Sequence, residues 1–148
     1  MAQATGKRRS GGETDLARLL SGLTPTLRPE VFVFATLDPG ADAAALDPIL
    51  TFREAEGLTA VAERGAAEAA GLEAVYPCRM ITLEVHSALE AVGLLAAVSA
   101  RLAAIGVSVN VVSAFHHDHL FVPEAEAERA LAALRDLAGG ARPLGSDS

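Results

Sequence analysis

One cysteine, no tryptophan and only 4% aromatic residues set the first limits on this 148-residue chain. A single thiol, Cys78, cannot close an internal disulfide, and that usage fits a reducing compartment such as the cytoplasm. Cys78 reads as a small buried strand residue, because no base stands beside it to make it a nucleophile. Long apolar runs are missing too. Ala91 to Ala100 and Leu102 to Phe115 carry no charge, but Arg101 separates them, and each falls short of the ~20 residues a membrane helix needs. No continuous apolar segment follows the basic N-terminus, so no signal peptide is read there. Positive charge is scarce: the net charge is -7, and Lys7-Arg8-Arg9 is the one basic cluster. Nucleic-acid phosphates require clustered Lys and Arg, so neither nucleic acid nor membrane is expected as a partner. No glycine-rich phosphate loop, nucleophile elbow or paired zinc motif is present, which leaves little basis for an enzyme.

What the chain has is aliphatic: 51% of its residues are hydrophobic, and Ala, Leu and Val must build the core. The stretch from Cys78 to Asn110 organises the rest. Met80 to Val85 alternates apolar and polar side chains, as a half-buried strand does. Ser87 and Glu90 have the spacing of a capping box, which predicts a helix starting at Ser87. Leu95, Val98, Leu102 and Ile105 form one apolar stripe along it. Gly106 suits the left-handed residue after a helix, and Val107 to Val112 resumes as a β-branched strand.

Before this unit, Met1 to Gly12 is polar and basic and reads as a disordered tail. Thr14 or Asp15 caps a helix carrying Leu16, Leu19, Leu20 and Leu23, and Thr24-Pro25 with Arg28-Pro29 reads as an extended connector. Strands are predicted at Glu30 to Leu37, Ile49 to Arg53, Leu58 to Ala62 and Leu72 to Tyr76. A single turn at Ala41 to Leu46 and a helix at Glu63 to Ala70 complete this half, with Pro77 as the seam. After it come a turn at His116 to Asp118, a strand at His119 to Val122, and a helix from Pro123 that Gly139-Gly140 should stop. Its Leu131, Leu134 and Leu137 should face the core.

The run from Ala91 to Val98, with Leu102 to Asn110 after it, resembles the ACT domain, a ferredoxin-like regulatory module. The phrases EAEGLT (Glu54 to Thr59), YPCRMITLEVHS (Tyr76 to Ser87) and HHDHLFVP (His116 to Pro123) look like small bacterial proteins built from paired ACT-like halves. The resemblance covers roughly Leu16 to Leu137 and implies an α+β fold of two βαββαβ halves, with antiparallel sheets and helices on one face. Residues 13–76 would be the N-terminal half with an extra leading helix, 77–138 the C-terminal half, and 139–148 a flexible tail. The second half lacks an evident last strand, since ARPLGSDS is a weak candidate; the other half or a partner chain could fill that edge. The resemblance further implies a small ligand, typically an amino acid, at a domain interface. Exposed sheet edges favour a homodimer.

Three places are candidate sites. The first is the junction from His86 to Gly93, where the free N–H groups of a helix start can hold a carboxylate. By resemblance, Ala91, Val92, Gly93 and Asn110 occupy ligand-contacting positions, joined by His86 and Ser87. Alternatively Ser87 and Glu90 consume those N–H groups, Gly93 only permits close packing, and Asn110 is a satisfied strand residue. The second is Glu54 with Glu56, whose carboxylates could accept an ammonium group or could be a solvated turn. The third is His116, His117, Asp118 and His119. Alternation along a strand puts His117 and His119 on one face and His116 on the other, so a zinc site would need His86 as a third ligand. Ligand recognition or an interface cluster suits these histidines better than a metal, and no cofactor is expected. The expectation is a non-catalytic amino-acid-binding regulator or sensor. A metal-dependent enzyme centred on His116 to His119 and a purely structural dimerisation module are the alternatives.

Overall fold

The computed structural model describes residues 12–85 and 92–140. In chain order it contains α1 (Gly12–Ser21), β1 (Thr24–Leu27), β2 (Phe32–Leu37), a 3-10 turn (Ala44–Leu46), β3 (Leu50–Arg53), β4 (Leu58–Glu63), α2 (Arg64–Ala69), β5 (Ala74–Glu84), α3 (Leu94–Ala104), β6 (Asn110–Ser113), β7 (Asp118–Pro123), a second 3-10 turn (Glu124–Glu126) and α4 (Ala127–Gly140). The strands join one antiparallel sheet in the order β3-β4-β2-β5-β7-β6, with β1 also on β5. Two βαββαβ halves are therefore fused into a single sheet, as the α+β expectation requires.

The fusion runs through β5. Its first part pairs with β2 (Ala74 with Ala35, Cys78 with Phe32), and Cys78 to Leu83 pairs with β7 on the other edge. The strands expected on either side of Pro77 are thus one strand. Proline breaks a ladder by lacking an N–H, and here a bulge absorbs that loss. Between Phe32 and Phe34 the register shifts, so Tyr76 and Pro77 oppose one residue of β2, and Tyr76 takes φ 60.

The missing last strand of the second half is supplied from the front of the chain. Thr24 to Leu27, predicted as a connector, pairs antiparallel with Ile81 to Glu84. The prolines at 25 and 29 suggested a linker, yet Pro25 is buried on an edge strand, where a missing N–H is tolerated. The second half then reads β6-β7-β5-β1 and the first β3-β4-β2-β5, the same spatial order.

Three core clusters follow from strand alternation. Ile81, Leu83, Leu120 and Val122 face α1, α3 and α4, through Leu20, Leu94, Val98, Leu102, Leu131 and Leu134. Leu131 and Leu134 are buried as expected, and Leu137 packs against the same cluster half-buried. In the first half the helix-side core is small: Ala43, Leu46, Ala60 and Ala62. The opposite, helix-free face carries Phe32, Val61, Cys78, Met80 and Phe121, with Phe34, Leu50, Tyr76 and Val112 against them. Four of the chain's few aromatic rings meet there edge to face, at centroid distances of 5.8 to 6.1 Å. Each such pair contributes ~0.5–1.5 kcal/mol beyond area burial.

Helix boundaries differ from the sequence expectation. α1 starts at Gly12, ahead of the expected Thr14 or Asp15 cap, and the helix expected from Pro123 opens as a 3-10 turn before α4. Two further boundaries differ. α3 begins at Leu94, because Gly93 sits in the left-handed region (φ 99) and no helix can run through it. The N-cap of α3 is Gly93, which has no side chain to cap with, and the expected Ser87–Glu90 capping box lies outside the described residues. α4 includes Gly139 and Gly140 instead of stopping before them, because glycine weakens a helix by ~1 kcal/mol without forbidding it. The strand expected from Val107 begins at Asn110. Gly106, at φ 74 beyond the end of α3, holds its predicted role.

Candidate functional site

In the first half, the loop after β2 and the β3–β4 hairpin enclose a hollow of about 370 Å³, lined by Pro39, Gly40, Ala41, Arg53, Glu54, Gly57 and Leu58. The hairpin is a two-residue turn: the Glu54 N–H donates to the Gly57 carbonyl at 2.9 Å, and the Gly57 N–H donates back at 3.3 Å. It is pressed onto β2 so closely that a Cβ on Gly57 would lie 2.5 Å from the Leu37 oxygen. That contact fixes where Glu54 stands. The Thr59 hydroxyl donates to Glu54 Oε1, which orients the carboxylate. Arg53 lines the same hollow, and no ion pair or hydrogen bond engages its guanidinium among the described residues. An unengaged cation and an oriented carboxylate thus both border the hollow. Glu56, at the exposed tip of the turn, does not line the hollow.

The corresponding junction of the second half is only partly visible. His86, Ser87 and Ala91 lie outside the described residues. Val92 is 88% exposed. Gly93 faces α1: a Cβ there would lie 3.6 Å from Leu16 Cδ2, so the group that comes close to this glycine is a leucine of the leading helix. Asn110 is exposed at the start of the edge strand β6, opposite Phe121.

Of the histidine run, His116 and His117 lie in the turn before β7 and His119 lies on the strand. His119 sits on the helix-free face, its Nδ1 3.0 Å from the Thr82 hydroxyl, and burial above all pushes its pKa down, with His117 adding to the effect. His116 is exposed on the turn, its ring edge-on to Phe115. Among the described residues, no three His, Cys, Asp or Glu side chains converge where a metal could sit. Cys78 is fully buried, its thiol donating to the Phe32 carbonyl at 3.4 Å, and burial pushes its pKa up to about 12. A thiol held that firmly protonated is no nucleophile.

A model of the ACT domain matches residues 11–79, and a second ACT-domain model matches residues 75–136. The chain belongs to the ACT-domain family. The two ACT matches overlap within β5, the strand both halves use. Among solved structures, a Vibrio cholerae protein of unknown function, described as a possible transport protein, is 46% identical over 86% of this chain and 98% of its own, with a TM-score of 0.79. An Agobacterium tumefaciens protein is 19% identical over 78% of this chain and 89% of its own, with a TM-score of 0.69. The regulatory subunit of aspartate kinase from Thermus flavus shares the fold at 12% identity and a TM-score of 0.57, over 78% of this chain and 98% of its own. No curated protein matches the sequence.

Of the residues that line this hollow, sequence reasoning singled out Glu54 and not Arg53 or the loop from Pro39 to Ala41. The Asp38-Pro39-Gly40 break after a predicted strand was the available signal, because it marks the strand-to-helix junction of the first ACT half. Arg28, Met80 and Phe121, discussed below, had no sequence signal beyond alternation along their strands. No helix among the described residues is long and apolar enough to cross a membrane.

Proposed function

We propose that this ACT protein is a non-catalytic, cytoplasmic regulator or sensor that binds a free amino acid in the hollow of its first half. The observation that carries this reading is that Arg53 and Glu54 both line the hollow. Arg53 takes the ligand's carboxylate and Glu54 its ammonium group, while Pro39, Gly40 and Ala41 close the other side. Both groups are exposed, so the charge contacts alone are weak, and affinity depends on the pair being held by the hairpin. Family membership supports the reading, as does the shared fold with a subunit that regulates aspartate kinase.

Regulation would work by linkage: a ligand that binds one packing of the halves, or of two chains, better than another shifts the population toward it. A homodimer is the natural assembly, since the edge strand β3 exposes Phe52 and is preceded by the exposed Ile49. Calorimetry and thermal shift against the common amino acids test the proposal. Heat with at least one of them, lost in Arg53→Ala and Glu54→Gln, supports it. Binding that survives those changes and is lost in Asn110→Ala moves the site to the second-half junction. No heat and no shift across the panel removes the function.

A further inference from the structure

The helix-free face holds a second cleft, of about 240 Å³, that the amino-acid site does not use. Ile49 and Leu50 line it from the first half, Val112 and Ala114 from the second, with Met80 and Phe121 as the floor and Arg28 and His119 as its only ionisable groups. The edge strands of both ACT halves thus share one apolar slot with a basic end. Among the described residues no carboxylate lines it, though Glu30 pairs with Arg28 at its basic end, in a chain whose net charge is -7.

We propose that this cleft binds a small monocarboxylate with an apolar body, its carboxylate between Arg28 and His119 and its tail over Met80 and Phe121. Arg28 gives Nε and Nη2 to Glu30, at 3.1 and 2.8 Å, which leaves Nη1 without a partner among the described residues. His119 engages Thr82 through Nδ1 only, which leaves Nε2 for a ligand. A carboxylate with two oxygens fits two such donors better than the apolar lining fits water. Size points to the same class. A dry cavity of ~150 Å³ holds benzene and drug-sized ligands need ~300–1,000 Å³, so a body of about five to eight carbons fits. Because the lining comes from both halves, an occupant would hold β3 against β6.

Binding would couple to protonation of His119. Besides burial, the groups that set its charge are Thr82 on β5, His117 in the turn before β7, Asp118 at its start, and Arg28 after β1. His117 and Arg28 disfavour the imidazolium, Asp118 favours it, and an incoming carboxylate adds to Asp118. Affinity should therefore fall as pH rises through the titration of His119, which burial places below its ordinary 6.5.

The test titrates the full chain with 4-methylpentanoate, phenylacetate and the uncharged 4-methylpentanamide, following shifts of the Met80 methyl and the His119 ring by NMR. At least one acid should bind with a Kd of millimolar or tighter, and the amide about tenfold more weakly. Arg28→Met should weaken the acid about tenfold, while Glu30→Gln, which frees the guanidinium, should strengthen it. His119→Gln should abolish the pH dependence. Equal binding of acid and amide, an unaltered Kd in correctly folded Arg28→Met, or no shift by about 10 mM of every probe would overturn the proposal. The amino-acid site stands or falls separately, on Arg53 and Glu54.

Discussion

The Tyr76 hydroxyl lies 2.9 Å from the Ser108 hydroxyl and donates at 3.3 Å to the Phe121 carbonyl. This side chain leaves β5 at the bulge where the two ACT halves meet and reaches into the loop between α3 and β6, 32 residues further on. Removing only the oxygen, in Tyr76→Phe, should cost about 1 kcal/mol, a typical net hydrogen bond, while the edge-to-face contact with Phe34 stays. A denaturation midpoint lowered without a change in m-value is the expected result; an unchanged midpoint would mean the tie contributes nothing.

Gly57 and Gly40 separate two uses of glycine in one hollow. At Gly57 a Cβ would be 2.5 Å from the Leu37 oxygen and 2.9 Å from Thr36 Oγ1, so Gly57→Ala must move backbone and should cost about 1–3 kcal/mol. It should also displace Glu54. At Gly40 the surroundings are open and only the left-handed backbone (φ 79) resists a side chain, so Gly40→Ala should cost about 1 kcal/mol and leave the hairpin alone. Thermal melts of both variants check the order; a milder effect at Gly57 contradicts the packing described above.

Cys78 supplies a chemical probe of the native state. With its pKa pushed up to about 12, it should not react with a disulfide reagent at pH 8 until the chain unfolds. Reaction in native buffer faster than global unfolding would place the thiol in an opening segment instead of the core shared by both halves.

His119 makes stability pH-dependent with a definite sign. Burial lowers its pKa in the folded chain below the ordinary value of 6.5, so near and below that pH the unfolded chain binds more protons. Its contribution is complete above pH 6.5 and is lost as pH falls toward the folded value. His119→Gln should flatten this limb of the stability profile between about pH 5 and 7, leaving the carboxylate-driven acid limb in place.

The leading strand yields the sharpest truncation test. A chain starting at Arg28 keeps β2 onward but lacks β1 and α1, exposing the β5 edge at Ile81 to Glu84 and removing Leu20 and Leu23 from the core. It should lose cooperative unfolding. Leu23→Ala, at 1% exposure, is the milder version and should cost about 2–5 kcal/mol with the fold intact.

The order of elements was readable in the sequence because helices and strands differ in apolar period, and α3 and β7 are unambiguous in that respect. What escaped it was long-range. Thr24-Pro25 looks like a linker locally, and only the unfilled edge beside Glu84 makes it a strand. Pro77 looks like a break locally, and only the bulge against β2 carries β5 through it. Likewise the spacing of Ser87 and Glu90, outside the described residues, predicted a helix start there, whereas α3 begins at Leu94 after the left-handed Gly93. In the hollow, Glu54 was visible as one of two clustered acids; Arg53 joins its lining once the hairpin is folded onto Leu37.

The place of β1 also sets the order in which this protein can be completed. Thr26 and its hydrogen-bond partner Glu84 are 58 residues apart, so the segment that seals the second half is synthesised before the strand that receives it. The second half thus borrows a segment made before the first half, and β1 finds its place only once Ile81 to Glu84 has emerged, whereas β2, β3 and β4 need nothing beyond Cys78 to pair.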